Sequence, residues 1–430
     1  MLKIYRASDP EVENLLAAPP FDASRMAVVE EIIAAVRERG DEALCALTAR
    51  FDRVQLAPED LRVTGEEVEA AYGEVSGAFL DALRLAAARI LAFHTRQVPQ
   101  SWFEAQDGAF LGQLVRPLAR VGIYVPGGTA AYPSSVLMSA LPARAAGVGE
   151  IVMCTPPGRD GTVAPPILVA AAEAGIKEIY RVGGAQAVAA MAYGTATIRR
   201  VDKIVGPGNI YVTLAKQRVY GEVDVDVPAG PSEVVIVADA TADPEWVAAD
   251  LLAQAEHDTL ARCLLLTPVP ELAQAVAGEA ARQAAQLPRR EFIAEALEAF
   301  GGIVVTRDLA EAVELANRFA PEHLELLVAD PLVWLGRVRN AGAVFLGPYA
   351  PVPVGDYAAG PNHVLPTGGT ARFASALGTE AFVKRINVAG LDRAGLAALA
   401  GAVVTLAEAE GLAAHAAAVR ARLAGKEQDG

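Results

Sequence analysis

The sequence predicts an α/β protein with two Rossmann-like parallel-sheet domains, one inserted in the other, and helical extensions at both ends. Three observations carry that expectation. Between Val121 and Val227, short β-rich runs alternate with helical stretches, the pattern of a parallel sheet covered by helices on both faces. Each of those strands ends in a glycine- or proline-bearing turn. A second series of the same kind opens at Glu233-Val-Val-Ile-Val-Ala238, a run that reads as a buried strand.

Taken in order, residues 1–21 read as an N-terminal helical extension. From 22 to 122 the chain is mostly helical, with Val28, Val29, Ile32, Ile33 and Val36 at helical spacing and strand candidates near Phe110 to Val115. The inserted domain, 123–233, is built on strands at Val121–Val125, Glu150–Cys154, Glu178–Val182, Asp202–Val205 and Glu222–Val227. Helices at Ser134–Ala146, Ala164–Ala174, Ala185–Tyr193 and Asn209–Tyr220 separate them. The outer domain resumes over 234–380 with a helix at Trp246–His257, a strand at Cys263–Thr267, a helix to Gln286, a strand at Gly302–Thr306 and a helix to Phe319. Segments 22–122 and 234–380 then make one discontinuous domain. Residues 381–430 form an Ala-rich amphipathic helical arm interrupted by Gly390, Gly395, Gly401 and Gly411, the kind of arm that clasps a second subunit.

Composition narrows the function. At 430 residues and 53% hydrophobic, the chain can bury large cores. It has no apolar run long enough to span a membrane, and its amino terminus lacks the basic-then-apolar pattern of a signal peptide, so a cytoplasmic protein is expected. A net charge of −15 argues against nucleic acid and anionic membranes as partners and in favour of a small molecule. Cys45, Cys154 and Cys263 are too few and too scattered for a disulfide framework or a thiolate zinc site. Each reads as a buried reduced thiol, with Cys154, at a strand end, the one that could act as a nucleophile.

The turns carry the first functional signal. Pro126-Gly127-Gly128, Thr155-Pro156-Pro157-Gly158, Gly183-Gly184, Gly206-Pro207-Gly208-Asn209 and Pro228-Ala229-Gly230-Pro231-Ser232 all follow strands. Open α/β sheets bind ligands at the carboxyl ends of their strands, where glycine lets backbone N–H groups approach a phosphate at the next helix N-terminus. Any one such turn is equally a plain βα turn, but the succession points to a ligand edge. A strict Gly-x-Gly-x-x-Gly is absent, since Gly147-Val-Gly149 precedes a strand, so a bound dinucleotide would use an unconventional loop set.

The histidines carry the second. Of five, four stand in polar clusters: Gln254-Ala-Glu-His257, Glu322-His323, Asp356 to His363, and Glu410 to His415; His94 has no such company. Histidine among carboxylates suggests metal or proton chemistry. Gln254 and His257, three apart on a helix, share a face and could share a metal. Asp356 follows Gly355 in a Pro/Gly-rich loop, Tyr349 to Gly360, where it is either freely oriented or a simple Asx turn. Glu410 and His415 would sit on different faces of one helix, but Gly411 breaks it and lets both turn inward. Pro321 suits the first position of a helix through Leu324–Leu327, placing Glu322 and His323 in its first turn and Glu325 on the far side. The dipole there would keep Glu322 charged and His323 a neutral base.

Together these stretches resemble the signature blocks of the histidinol dehydrogenase family, in its order and spacing. The blocks are Val121-Gly-Ile-Tyr-Val-Pro-Gly-Gly128, Val182-Gly-Gly-Ala-Gln-Ala187, Gly206-Pro-Gly-Asn209, Ala229-Gly-Pro-Ser-Glu233, Gln254-Ala-Glu-His257, Ala320-Pro-Glu-His-Leu324, Gly355-Asp-Tyr-Ala358 and Asn362-His-Val-Leu-Pro-Thr367. The resemblance covers essentially the whole chain. It implies oxidation of L-histidinol to L-histidine through histidinaldehyde, with two hydride transfers to NAD, in a zinc-dependent homodimer. It further implies one zinc per subunit on Gln254, His257, Asp356 and His415, which would anchor the substrate's amine and imidazole. Glu322 and His323 match the acid–base pair. Ser232, His363 and Glu410 match substrate contacts, as do His323 and the four zinc residues, while Tyr124, Gln186 and Asn209 match NAD contacts. The C-terminal arm would carry Glu410 and His415 into the partner's site.

Rival readings are oxidation of another small primary alcohol, a zinc hydrolase, and a ligand-binding module without catalysis. The first would not need Ser232, His363 and Glu410. The second would leave the glycine-rich strand ends without a purpose.

Overall fold

The computed structural model describes residues 2–17, 23–127, 131–226 and 230–424. The protein divides into two compact units, residues 1–97 with 118–382 and residues 98–117 with 383–430. The first unit opens with β1 (Ile4–Arg6) and α1 (Glu11–Leu16), then α2 (Met26–Arg39), α3 (Asp41–Phe51), α4 (Gly65–Ala71) and α5 (Gly77–Thr95). After the hairpin β2 (Trp102–Gln106) and β3 (Ala109–Pro117), which belongs to the second unit, come β4 (Arg120–Tyr124), α6 (Pro133–Ala145), β5 (Glu150–Cys154), α7 (Pro165–Ala174), β6 (Glu178–Tyr180), α8 (Gly184–Tyr193), β7 (Lys203–Val205), α9 (Ile210–Val219) and β8 (Asp224–Val225). The first unit continues with β9 (Glu233–Ala238), α10 (Pro244–Ala255), β10 (Arg262–Thr267), α11 (Pro270–Ala284), α12 (Arg290–Phe300) and β11 (Gly301–Val305). It ends with α13 (Leu309–Phe319), β12 (His323–Leu327), α14 (Pro331–Leu335), β13 (Ala343–Leu346) and α15 (Val352–Tyr357). The second unit closes with β14 (Val383–Leu391), α16 (Arg393–Ala409) and α17 (Ala413–Ala424).

Two fully parallel sheets organise the first unit, ordered β6-β5-β4-β7-β8 and β1-β11-β10-β9-β12-β13. The central strands β9, β10 and β12 are buried along their whole length, because β-branched and leucine side chains meet helices on both faces. Each sheet reverses its winding beside the central strand that comes first in sequence among its inner strands, at β4/β7 and at β9/β12. Such switch points leave crevices between diverging crossovers.

Three expectations give way. Residues 1–21 are not simply helical: β1 pairs in parallel with β11 and completes the six-stranded sheet. The helices of 22–95 do not join the outer domain's core. Val29, Ile32, Val36 and Leu44 share a core with Ala187, Val188 and Leu214 of α8 and α9, on the five-stranded sheet. Helical periodicity shows that a helix has an apolar face, not which sheet that face meets. The segment from 381 is not helix throughout, since β14 pairs antiparallel with β3 from Val383↔Pro117 to Leu391↔Ala109. Val383, Ile386 and Val388 suit a strand better than a helix. Beyond β14 the arm is helical, and Gly411, at φ 74°, separates α16 from α17 as its sequence position suggests.

Candidate active site

At the carboxyl edge of the five-stranded sheet, Tyr124 is the last residue of β4, and its buried hydroxyl accepts the Gly184 N–H at 3.1 Å. Burial pushes its phenol up to about 12, so it is a neutral hydrogen-bonding group. Gln186 lies buried in the first turn of α8, and Asn209 caps α9, its Oδ1 accepting from Tyr211 N and Val212 N at 3.1 and 3.2 Å. Gly206 can only be glycine: φ is 115°, and a Cβ would collide with the Tyr124 carbonyl oxygen. The turn is tied down by a buried ion pair, Lys216 with Asp226, since Lys216 Nζ donates to Gly206 O at 3.0 Å and Gly206 N donates to Asp226 Oδ2 at 2.7 Å. A cavity of about 500 Å³ lies along this edge, lined among others by Gly127, Thr155, Pro156, Arg159 and Thr162. Gly128 of the first turn and Pro228 and Ala229 of the last lie outside the described residues. Cys154 is fully buried and its thiol is pushed up to about 12, which removes it as a nucleophile.

The other cluster gathers at the amino edge of the six-stranded sheet. Here the expected helix at Pro321 is absent. Ala320, at φ 56°, ends α13 in the left-handed conformation, and His323-Leu-Glu-Leu-Leu327 enters the sheet as β12 between β9 and β13. Glu322 and His323 therefore do not stand at a helix N-terminus, and the charge states expected from such a dipole do not carry over to them. Both are buried, and Glu233 holds both: its N–H donates to Glu322 Oε2 at 2.9 Å, and its carbonyl lies 2.9 Å from His323 Nδ1. A carbonyl only accepts, so Nδ1 carries the hydrogen and Nε2 is the ring's open position. Nε2 has no hydrogen-bond partner among the described residues and lies 3.7 Å from Asp356 Oδ1.

Electrostatics here follow burial and neighbours. Burial pushes the Glu322 carboxyl up to about 7 against the pull of His323. Burial works to lower His323, but the carboxylates of Glu322 and Asp356 win and raise it to about 9. Asp356 resists burial through His323, His363 and His257 and stays below its ordinary range. Glu325, two residues along the strand from His323, shares its face instead of lying opposite. Its Oε1 accepts from Val352 N at 3.1 Å, and burial together with Asp250 raises it well above the carboxylate range; burial pushes Asp250 itself up to about 6.

Asp356 stands in α15, not in a loop. A Cβ at Gly355 would sit 2.6 Å from the Phe345 ring, and that ring lies 6.1 Å from the His323 ring, so glycine lets α15 approach His323. The Asp356 carbonyl lies 2.9 Å from His363 Nδ1, and His363 Nε2 lies 3.5 Å from Ser135 Oγ; burial lowers His363. His94 has company after all: buried, with Nδ1 at 2.7 Å from Gln97 Oε1, it meets Asn362 Nδ2 at 3.3 Å, beside His363. Gln254 is buried in the last turn of α10, and His257 lies past the helix end in a turn closed by His257 N→Gln254 O at 3.2 Å, not on a continuous helix face. Ser232 immediately precedes β9 and its carbonyl accepts from Arg262 N at 3.0 Å. Glu410 caps the end of α16 and His415 lies in α17, both in the second unit.

Among the described residues, no three His, Cys, Asp or Glu side chains gather closely enough to hold a metal ion by themselves. An imidazole at His257 and a carboxylate at Asp356 are common zinc ligands, a carboxamide oxygen at Gln254 is an uncommon one, and three such donors leave one position for a further ligand. Sequence reasoning missed Glu233, Arg262, Asp250 and the Lys216–Asp226 pair. A charged residue at the first position of an otherwise apolar central strand, as at Glu233 and Arg262, is the signal that was available.

Two doubly wound sheets, one with glycine turns at its carboxyl edge and the other with a buried glutamate–histidine pair at its amino edge, give the chain the architecture of an α/β enzyme. The family model for histidinol dehydrogenase matches residues 20–423. The chain is 59% identical over 395 residues to histidinol dehydrogenase of Moorella thermoacetica, covering 92% of this chain and 93% of that one. It is 52% identical to that of Heliobacterium mobile, covering 98% and 100%. The crystal structure of histidinol dehydrogenase from Elizabethkingia anophelis superposes with a TM-score of 0.94 at 39% identity, covering 98% of each chain. The protein belongs to the histidinol dehydrogenase family of NAD-dependent oxidoreductases. No helix among the described residues is long and apolar enough to cross a membrane.

Proposed function

We propose that the protein oxidises L-histidinol to L-histidine through histidinaldehyde, using two NAD and one zinc per subunit. The observation that carries this reading is His323, with Nδ1 locked on a carbonyl and Nε2 open, buried between two carboxylates. Gln254, His257 and Asp356, with His415, would hold the zinc, which supplies a fixed anchor for the substrate's amine and imidazole nitrogens. NAD, the hydride acceptor, would lie along the carboxyl edge near Tyr124, Gln186 and Asn209; the cavity lined by Gly127, Thr155 and Pro156 lies on the same edge.

His323, in its neutral form, takes the hydroxyl proton at Nε2 as the carbinol carbon gives up its hydride, and the Glu322 and Asp356 carboxylates stabilise the imidazolium that results. Glu322, near its protonation midpoint at neutral pH, removes a proton from the water that adds to histidinaldehyde. The His323 imidazolium returns its proton to the aldehyde oxygen as that water adds, giving the hydrate, and, neutral again, takes a hydroxyl proton of the hydrate in the second oxidation. Ser232 and His363 read the substrate's head. Glu410 and His415 reach the site of a second subunit, making a homodimer with shared sites.

A spectrophotometric assay tests this. Purified protein should release about two NADH per histidinol consumed, and a chelator should abolish the activity. One NADH per substrate, or chelator-resistant turnover, would sink the four-electron, zinc-dependent reading.

A further inference from the structure

Glu322 and His323 are both held by the main chain of one residue, Glu233. Their mutual geometry therefore depends on where the first residue of β9 stands, and its side chain fixes that. Glu233, 1% exposed, has Oε1 at 3.0 Å from a guanidinium nitrogen of Arg262, its register partner at the start of β10. Arg262 is more than a counter-ion. Its second terminal nitrogen donates to the carbonyls of Leu15 and Ala17 at 2.5 and 2.8 Å. Its guanidinium carbon lies 4.1 Å from the ring centroid of Phe319, the last residue of α13 and three residues ahead of Glu322. One planar cation thus grips β9, the helix end that feeds β12, and the N-terminal segment. A planar fork with a stacking face suits all three contacts at once, and an ammonium does not.

We propose that Arg262 and Glu233 form a positioning clamp for the acid–base pair, setting the Glu322 carboxylate and the His323 ring relative to each other through the Glu233 main chain. The proposal rests on the reading of Glu322 and His323 given above. Neither clamp residue touches the reacting atoms. A buried ion pair adds little net stability, because desolvation offsets the attraction, and apolar side chains of similar volume can replace both charges without loss of the fold. Positioning can therefore be separated from folding.

The decisive variant is the double substitution Glu233→Met/Arg262→Met in the full-length enzyme, compared with Arg262→Lys and with His323→Asn. Thermal melting, kcat, KM for both substrates and the ¹⁵N ring signals of His323 are measured on each. For a double variant that still melts cooperatively, kcat should fall roughly 10- to 100-fold, the scale of a misplacement by about an ångström. Both KM values should stay within about threefold, and the His323 signals, recorded above its raised pKa so that the ring is neutral, should change from a single Nδ1–H tautomer to an average of two. Arg262→Lys, which keeps the charge but loses the fork, should show a smaller loss of kcat with the same tautomer averaging. It carries the test if the double variant does not fold. Unchanged kcat and an unchanged tautomer in either folded variant would overturn the clamp. If His323→Asn is inactive beside a fully active clamp variant, the clamp alone fails; if His323→Asn itself keeps full activity, the acid–base reading fails and takes the clamp with it.

Discussion

The two parallel sheets of the first unit follow the same winding, yet they put their candidate functional residues at opposite ends. The five-stranded sheet presents its carboxyl edge, where Tyr124, Gln186 and Asn209 stand at a strand end and at helix starts. The six-stranded sheet presents its amino edge, where Ser232, Glu233, Glu322 and His323 enter their strands. The difference follows from what each edge has to offer. A carboxyl edge collects helix N-termini, and with them backbone N–H groups suited to phosphates. An amino edge collects the ends of helices and the first residues of strands, so the chemistry there falls to side chains, positioned by burial and by main-chain contacts such as those of Glu233.

This division can be broken by substitution, and the largest effect belongs to the amino edge. His323→Asn should slow both oxidations by roughly 10²- to 10⁴-fold while leaving NAD affinity unchanged. Glu322→Gln should spare formation of histidinaldehyde and slow its onward conversion. Steady-state assays started from histidinol and from histidinaldehyde distinguish the two. Equal losses in both assays for Glu322→Gln would mean that it does not activate the water.

Next in size, His257→Ala and Asp356→Ala should lose bound zinc and histidinol turnover together, measured by metal content and initial rates, with NAD titrations unaffected. A parallel loss of NAD affinity would mean that the two edges are not separable.

The carboxyl edge should answer in the opposite sense. Gly206→Ala forces a side chain into a left-handed position against the Tyr124 carbonyl, at a cost of about 1–3 kcal/mol. It should raise the KM for NAD more than the KM for histidinol in steady-state assays, so an equal rise in both would mean that the carboxyl edge does not serve NAD alone.

The smallest effect concerns Asp52, at the end of α3 on the five-stranded side. Burial raises its carboxyl to about 6, so the folded chain binds a proton that the unfolded chain releases at about 4. The stability this gives is complete below the unfolded value and is lost as pH rises through 6. Asp52→Asn should therefore raise the melting temperature at pH 7.5 and leave it nearly unchanged at pH 4. Because the side chain is partly open to solvent, the shift is at most a few degrees. Equal shifts at both pH values would show that the carboxyl's protonation is not the cause.

The sequence by itself determined the alternation of strands and helices in both sheets, the glycine and proline turns at the strand ends, and the break at Gly411. Those features are local: chain stiffness, side-chain period and the φ demanded of a turn act over a few residues. The Glu322–His323 and Asp356–His363 clusters, which the fold brings together, were legible for a related reason, since charged groups inside apolar stretches need a purpose wherever the chain goes. Tertiary structure decided the rest. A helix start and a buried strand begin alike at Pro321-Glu322-His323, and only the slot between β9 and β13 selected the strand, which turned Glu325 onto the face of His323. Apolar faces on α2 and α3 could have packed on either sheet. His94 gained Asn362 as a partner, and Glu233 and Arg262 became neighbours of Glu322 and His323, through contacts between residues far apart in the chain, which sequence spacing cannot express.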